Sequence, residues 1–193
     1  MEHCVKRRND TFSEAELSEY YNINLCLDNN RISNNLYTKF LSLMVDKTHS
    51  WKPHIEHSIN QLCTACYVIR SVKPYVNTNA IIMIYHSLFH TVMTYGMIFW
   101  GNSSTTIQVF RTQKNAIRII TGRGNRVSCR NLFKELHILP LMSQYVLSLL
   151  TFVPNNREQY FANSEINNIN TRHNSNLHLP RAHLKIYQKG VYF

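Results

Sequence analysis

The stretch Ala80-Ile81-Ile82-Met83-Ile84-Tyr85-His86-Ser87-Leu88-Phe89-His90-Thr91-Val92-Met93-Thr94-Tyr95-Gly96-Met97-Ile98-Phe99-Trp100 decides what kind of fold this chain has. Its 21 residues carry no formal charge, and about 20 apolar residues suffice to span a bilayer. Against a span stand His86, Ser87, His90, Thr91, Thr94 and Gly96, all polar or flexible. Basic residues flank both ends, which leaves little charge asymmetry to orient a span. A central helix, apolar nearly all round and buried among basic amphipathic helices, accounts for both features. No membrane partner is expected on this reading; a small membrane protein using residues 80–100 is the alternative.

The neighbours on either side support the helical reading. Trp51-Lys52-Pro53 opens a segment in which Ile55, Ile59, Leu62, Cys63, Cys66 and Ile69 fall on one helical stripe, with Pro53 suited to the first turn. Pro74 should end it, and Asn77 or Thr78 should cap the helix that follows and closes at Gly101. Ser103 or Ser104 opens a third helix, with Ile107, Phe110, Ile117 and Ile120 inward and Arg111, Lys114 and Arg118 outward. After a break at Gly122-Arg123-Gly124-Asn125-Arg126, Ser128 caps a short helix carrying Leu132, Phe133 and Leu136. Leu139-Pro140 starts a last helix, stopped by Pro154-Asn155-Asn156.

Upstream, Glu14, Glu16, Glu19, Tyr20 and Tyr21 suggest a short helix. Ile23–Leu27 and Thr38–Asp46 read as two strands of a small antiparallel hairpin with a turn at Asp28-Asn29-Asn30. The expected fold is therefore mainly α, a bundle of four or five helices with a short N-terminal β-hairpin and a loose C-terminal tail. Residues 1–35 form a weakly ordered segment, 36–154 the helical domain, and 155–193 a basic tail rich in Asn and His.

Charge is distributed unevenly. The net charge of +10 lies entirely beyond residue 60, and no carboxylate occurs between Glu56 and Glu135. That acid-free span holds Arg70, Lys73, Arg111, Lys114, Arg118, Arg123, Arg126, Arg130 and Lys134. A surface of one sign repels itself unless a polyanion neutralises it. Arg111, Lys114 and Arg118 are spaced by three and four, so they share a helix face. Arginine forks match phosphate oxygens bidentately, and the glycines at 122 and 124 allow close backbone approach. Lys73, Arg111, Lys114, Arg118, Arg123, Arg126 and Arg130 are thus the candidate contacts to RNA or DNA phosphates. An ordinary solvated face would carry Glu among its cations.

Other chemistry is weaker. Cys63-Thr64-Ala65-Cys66 with His54 and His57 has the spacing of a zinc set, but both thiols lie on the apolar stripe and read as core. His86 and His90, four apart, lack the Glu of H-E-x-x-H and a third ligand, so they too read as core. No cofactor or metal site is expected in the chain. Five cysteines without a secretory leader point to reduced thiols in the nucleus or cytoplasm. Two-metal polymerase chemistry needs clustered carboxylates, whereas the three aspartates Asp10, Asp28 and Asp46 are isolated. Taken alone, the chain should not be an enzyme.

Several segments, in order, resemble the region after the palm in jockey-like non-LTR retrotransposon reverse transcriptases. Thr38-Lys39-Phe40-Leu41-Ser42-Leu43-Met44-Val45-Asp46 followed by Ser50-Trp51-Lys52-Pro53-His54-Ile55 is similar to that family's K-[FY]-L-G-…-D-…-L-S-W-x-x-H-I segment. The likeness continues through Cys66–Tyr75, Tyr95–Ser103, Gln113–Ile120, Ser128–Phe133 and Leu139–Leu141, and through Asn170–Arg172, Asn176–Pro180 and Tyr187–Gly190. It covers about residues 36–193. Ser42 departs from the family's glycine, and residues 1–35 fit poorly. The resemblance implies a thumb-like piece of an RNA-directed DNA polymerase whose parent carries the catalytic [FY]-A-D-D palm and uses Mg2+. Its expected partners are nucleic acid and that missing palm domain; a mobile-element remnant with no function of its own is the alternative.

Overall fold

The structure, a computed structural model, describes residues 26–27, 30–31, 35–166, 172–179 and 181. The helix expected near Glu14–Tyr21 lies outside the described residues. The chain divides into two compact units, residues 1–36 and 37–193. In the first, β1 (Cys26–Leu27) pairs antiparallel with β2 (Asn30–Arg31), Cys26 opposite Arg31.

The second unit opens on a hairpin of its own. Thr38–Asp46, expected as one strand, folds back on itself: β3 (Tyr37–Phe40) pairs with β4 (Leu43–Asp46), Phe40 opposite Leu43 and Tyr37 opposite Asp46. The two turn residues, Leu41 and Ser42, have φ of 44° and 64°. Two consecutive positive φ values match the type I′ turn, whose twist suits a two-residue hairpin. Ser42 therefore occupies a left-handed position at which glycine would sit without strain. On this hairpin the inward residues are Leu43 and Asp46, while β3 is exposed throughout.

Asp46 ties the hairpin to the helix that follows. Its Oδ2 accepts from Thr48 Oγ1, from the Ser50 amide at 3.0 Å and from Ser50 Oγ at 2.9 Å, and its Oδ1 accepts from the Trp51 amide at 2.9 Å. Burial alone would raise this carboxyl's pKa, but the bonds from Thr48, Ser50 and Trp51 outweigh it and hold the pKa down to about 2.

Helix α1 (Lys52–Val72) has Pro53 in its first turn and buries His54, Ile55, Ser58, Leu62, Ala65, Cys66 and Ile69. The expected stripe is present with one correction: Cys63 faces outward. As anticipated, Pro74 ends the helix, within a 3-10 turn at Lys73–Tyr75.

Residues 80–100 do not form one straight helix. Asn77 caps α2 (Thr78–Ile84), its Oδ1 accepting from the Ala80 amide at 2.9 Å. A π-helical segment, Tyr85–His90, follows and leads into α3 (Thr91–Thr94). The helix then breaks at Tyr95 and Gly96, where φ is 60° at the glycine, and resumes as α4 (Met97–Trp100). The buried residues Ile81, Tyr85, Phe89, Met93 and Met97 recur every four positions. In an α-helix that spacing overshoots by about 40° per step; the wider π turn takes up part of the drift and keeps the row facing inward. The outer face is not uniformly apolar: His86, Ser87 and Thr91 are exposed. Among the described residues no helix is long and apolar enough to cross a membrane.

Helix α5 (Thr106–Thr121) packs along α1 and presents Val109, Gln113, Ala116, Ile117 and Ile120 to the core. Ile107, expected inside, is 49% exposed. Short α6 (Arg130–Glu135) buries Leu132 and Phe133. Helix α7 (Leu141–Asn155) continues one residue past Pro154 and buries only Leu141 and Tyr145. Part of the expected loose tail is described. It holds α8 (Asn163–Ile166) and a bridge between Ala162 and Leu177, with the Asn163 amide donating to the Asn176 carbonyl at 2.9 Å.

Candidate nucleic-acid interface

The basic run of α5 is held in place by its polar side chains and by its ends. Gln113, opposite the cations on the helix, is fully buried. Its Nε2 donates to Tyr85 Oη at 3.1 Å and to the Leu139 carbonyl at 3.0 Å, and its Oε1 accepts from the Leu141 amide at 2.9 Å. One amide thus joins the π segment, α5 and the start of α7. A buried amide with its hydrogen bonds made is tolerated, and one left unpaired is costly. Burial raises the Tyr85 hydroxyl's pKa to about 12, only partly offset by the bond from Gln113.

The C-terminus of α5 closes in a Schellman arrangement. The Arg123 amide donates to the Arg118 carbonyl at 3.0 Å and the Gly122 amide to the Ile119 carbonyl at 3.2 Å, with Gly122 at φ 69°. Lys73 Nζ adds a bond to the same Ile119 carbonyl at 2.6 Å, a cation at a helix C-terminus where the dipole favours it. A methyl group at Gly124 would touch nothing within 4 Å, so the fold does not require glycine there.

Helix α6 ends in the same way without glycine. His137 takes φ 53°, its amide donating to the Lys134 carbonyl at 3.2 Å while the Ile138 amide donates to Phe133 at 3.0 Å. That closure turns Ile138, Leu139 and Pro140 back alongside α5. Between them lies a groove of about 900 Å³. Its apolar floor is Phe110, Phe133, Ile138, Leu139 and Pro140; its rim is Lys114, Arg118, Arg130, Lys134 and His137. The Phe110 and Phe133 rings stack at 6.3 Å between centroids, and Lys114 Nζ stands 4.7 Å from the Phe110 ring centre. Both contacts fit the quadrupole of an aromatic face.

Of the seven cations singled out from the sequence, the fold gathers three, Lys114, Arg118 and Arg130, around this groove. Arg118 also supports it, donating through Nε at 3.2 Å and Nη2 at 3.1 Å to the Val127 carbonyl. Arg111, Arg123 and Arg126 are exposed but do not line it, and Lys73 bonds to the end of α5. The residues that sequence reasoning missed are Lys134, His137 and the apolar floor. The four-residue spacing of Arg130 and Lys134 on one short helix was the available signal. Among the described residues no carboxylate lines the groove.

The other candidate ligands do not assemble. Cys63 is exposed while Cys66 is buried, its thiol pKa pushed up to about 11 by burial and then by Cys63. The His86 and His90 rings lie 5.1 Å apart, but His86 is exposed rather than core. Burial, and then the charge of His86, lower the His90 pKa, against a hydrogen bond that the ring makes to Gln144. Among the described residues no three His, Cys, Asp or Glu side chains come together as a metal-holding group. Comparison with protein-family models, with curated proteins and with solved structures yields no match.

Proposed function

We propose that this chain binds nucleic acid through its phosphates, and that it is a thumb-like region of a non-LTR retrotransposon reverse transcriptase without the catalytic palm. The observation that carries the binding reading is the clustering of Lys114, Arg118, Arg130 and Lys134 on one groove that no carboxylate of the described residues lines. In sequence these residues span two helices and a loop; the fold brings them to one place. A solvated surface with no ligand would gain nothing from concentrating like charges.

The parentage rests on the resemblance of residues 36–193, and the structure gives physical reasons for several of its segments. The Ser50 and Trp51 amides both donate to the Asp46 carboxylate at the hairpin–helix junction. His54 packs against Trp51 and Trp100, and Gln113 fixes the start of α7. In this reading polymerase chemistry and Mg2+ belong to the parent's palm, and the chain by itself holds nucleic acid by its phosphates.

Fluorescence anisotropy with a labelled 20-nucleotide strand tests the site. Arg130→Gln with Lys134→Gln should weaken binding tenfold or more at fixed salt, whereas Arg111→Gln with Arg123→Gln should weaken it only twofold to threefold. Equal losses from both pairs would dissolve the groove into diffuse attraction. A second reading, a remnant without function of its own, draws on the apolar outer face of α7, where Met142, Val146 and Leu150 are at least half exposed. Exposed apolar patches mark surfaces built to be covered. Aggregation of the purified chain, with no binding to any strand, would favour it.

A further inference from the structure

We infer that the α5–α6 groove is a site for unpaired nucleotides, so that the chain prefers single-stranded nucleic acid to duplex. This rests on the proposed nucleic-acid function and goes beyond it. Phosphate tracking along a duplex needs only cations on a surface, because the bases are stacked inside and their faces are unavailable. Here the cations form a rim, and what they surround is apolar and partly aromatic: Phe110, Phe133 and the Ile138–Pro140 wall. Phe110 is only partly buried and contributes to the floor, with Lys114 over its ring. An occupant that satisfies both layers carries negative charge outside and a flat apolar face inside. An unpaired base with its own phosphate has that construction, and base–aromatic stacking does not depend on base identity. The volume of about 900 Å³ falls within the range that holds a compact organic ligand. An acidic peptide would match the rim but offers no flat face to the floor.

The test uses the full chain, a 20-nucleotide oligothymidylate, a 20-base-pair duplex and polyglutamate as probes, over a range of KCl concentrations. The single strand should bind at least tenfold tighter than the duplex at each salt concentration. Phe110→Leu, which keeps apolar contact with Phe133 but removes the flat ring, should weaken the single strand about fivefold to a hundredfold, the range expected from loss of one stacked base. It should weaken the duplex much less than the single strand, through the Lys114 that rests over the ring, and leave the salt slope near that of the natural chain, with an unaltered circular-dichroism spectrum showing that the variant folds. A 2-aminopurine in the strand should change its fluorescence on binding to the natural chain and not to the variant. Equal or tighter duplex binding, or an indifferent Phe110→Leu, overturns the inference while leaving phosphate binding intact. Polyglutamate binding as tightly as the strand also overturns it. Absence of salt-dependent binding to both nucleic acids would instead bring down the proposed function on which it rests.

Discussion

Replacing Gln113 with Leu should be among the most damaging single changes in the molecule, although the two side chains are close in size. The substitution gains apolar surface but leaves the Leu139 carbonyl, the Leu141 amide and the Tyr85 hydroxyl without the partner they have now. The Tyr85 hydroxyl and the Leu141 amide are buried, and each so stranded costs about 1–3 kcal/mol. With these two, a smaller cost at the more exposed Leu139 carbonyl, and less the added hydrophobic transfer, the net loss is about 3 kcal/mol. In a domain of this size each kcal/mol moves the melting midpoint by about 2–4 °C, so Tm should fall by roughly 6–12 °C. Thermal and urea unfolding followed by circular dichroism measure it directly. Tyr85→Phe supplies the control. Alone it should cost about 1 kcal/mol, and in the Gln113→Leu background it should cost nothing or recover part of the loss, because it removes the hydroxyl that Gln113→Leu strands. A loss below about 0.5 kcal/mol for Gln113→Leu, or the same cost for Tyr85→Phe in both backgrounds, would refute the view of Gln113 as the node between the π segment, α5 and α7.

Further changes should behave as follows. Ser42→Gly should stabilise the fold by about 0.5–1 kcal/mol, since relief of the left-handed conformation outweighs glycine's greater chain entropy; a urea midpoint that falls instead would contradict the turn geometry. Asp46→Asn keeps only one of the two acceptor oxygens, so between one and three of the present hydrogen bonds are lost, and it should cost about 1–3 kcal/mol at neutral pH. Because this carboxyl's pKa is lower folded than unfolded, its contribution is complete above pH 3.8 and is lost as pH falls toward about 2; the cost of Asp46→Asn should shrink over that interval. His54 works in a milder range. Burial, and then the charge of His57, lower its pKa beneath 6.5, and its buried Nδ1 has no hydrogen-bond partner among the described residues. The unfolded chain therefore takes up a proton first, and stability should decline as pH falls below 6.5. His54→Phe should flatten that part of a Tm-against-pH curve.

Much of the helical body was legible from local chemistry, and the misses have definite physical causes. Pro53, Pro74 and Asn77 mark helix ends by dihedral preference and by a side-chain acceptor, and each acts where its chemistry places it. The hairpin turn escaped because Leu41-Ser42 lacks the Asn-Gly or Asp-Gly pair that signals positive φ; tertiary contacts impose the conformation, among them the Tyr95 hydroxyl donating to the Leu41 carbonyl. His137 hid its helix end in the same way, holding a left-handed position without being glycine. The π segment was invisible because its inward row can be drawn on an α-helix until the drift is counted. Gln113 was overlooked because a buried amide is recognisable only from its partners, which lie 26 or 28 residues away. For the candidate site, α5 spacing placed Lys114 and Arg118 together, while the apolar floor depends on α6 folding back and could not be read from periodicity.

The most direct measurement is the affinity of the whole chain for an oligonucleotide against salt concentration. If three or four of the groove cations neutralise phosphates, log affinity should fall linearly with log salt, with a slope of about −2 to −3 for a single strand. Neutralising Lys114 and Lys134 together should reduce the slope by about 1.4. An affinity that stays level as salt rises would mean that no phosphates are neutralised, and the groove would have to be explained without nucleic acid.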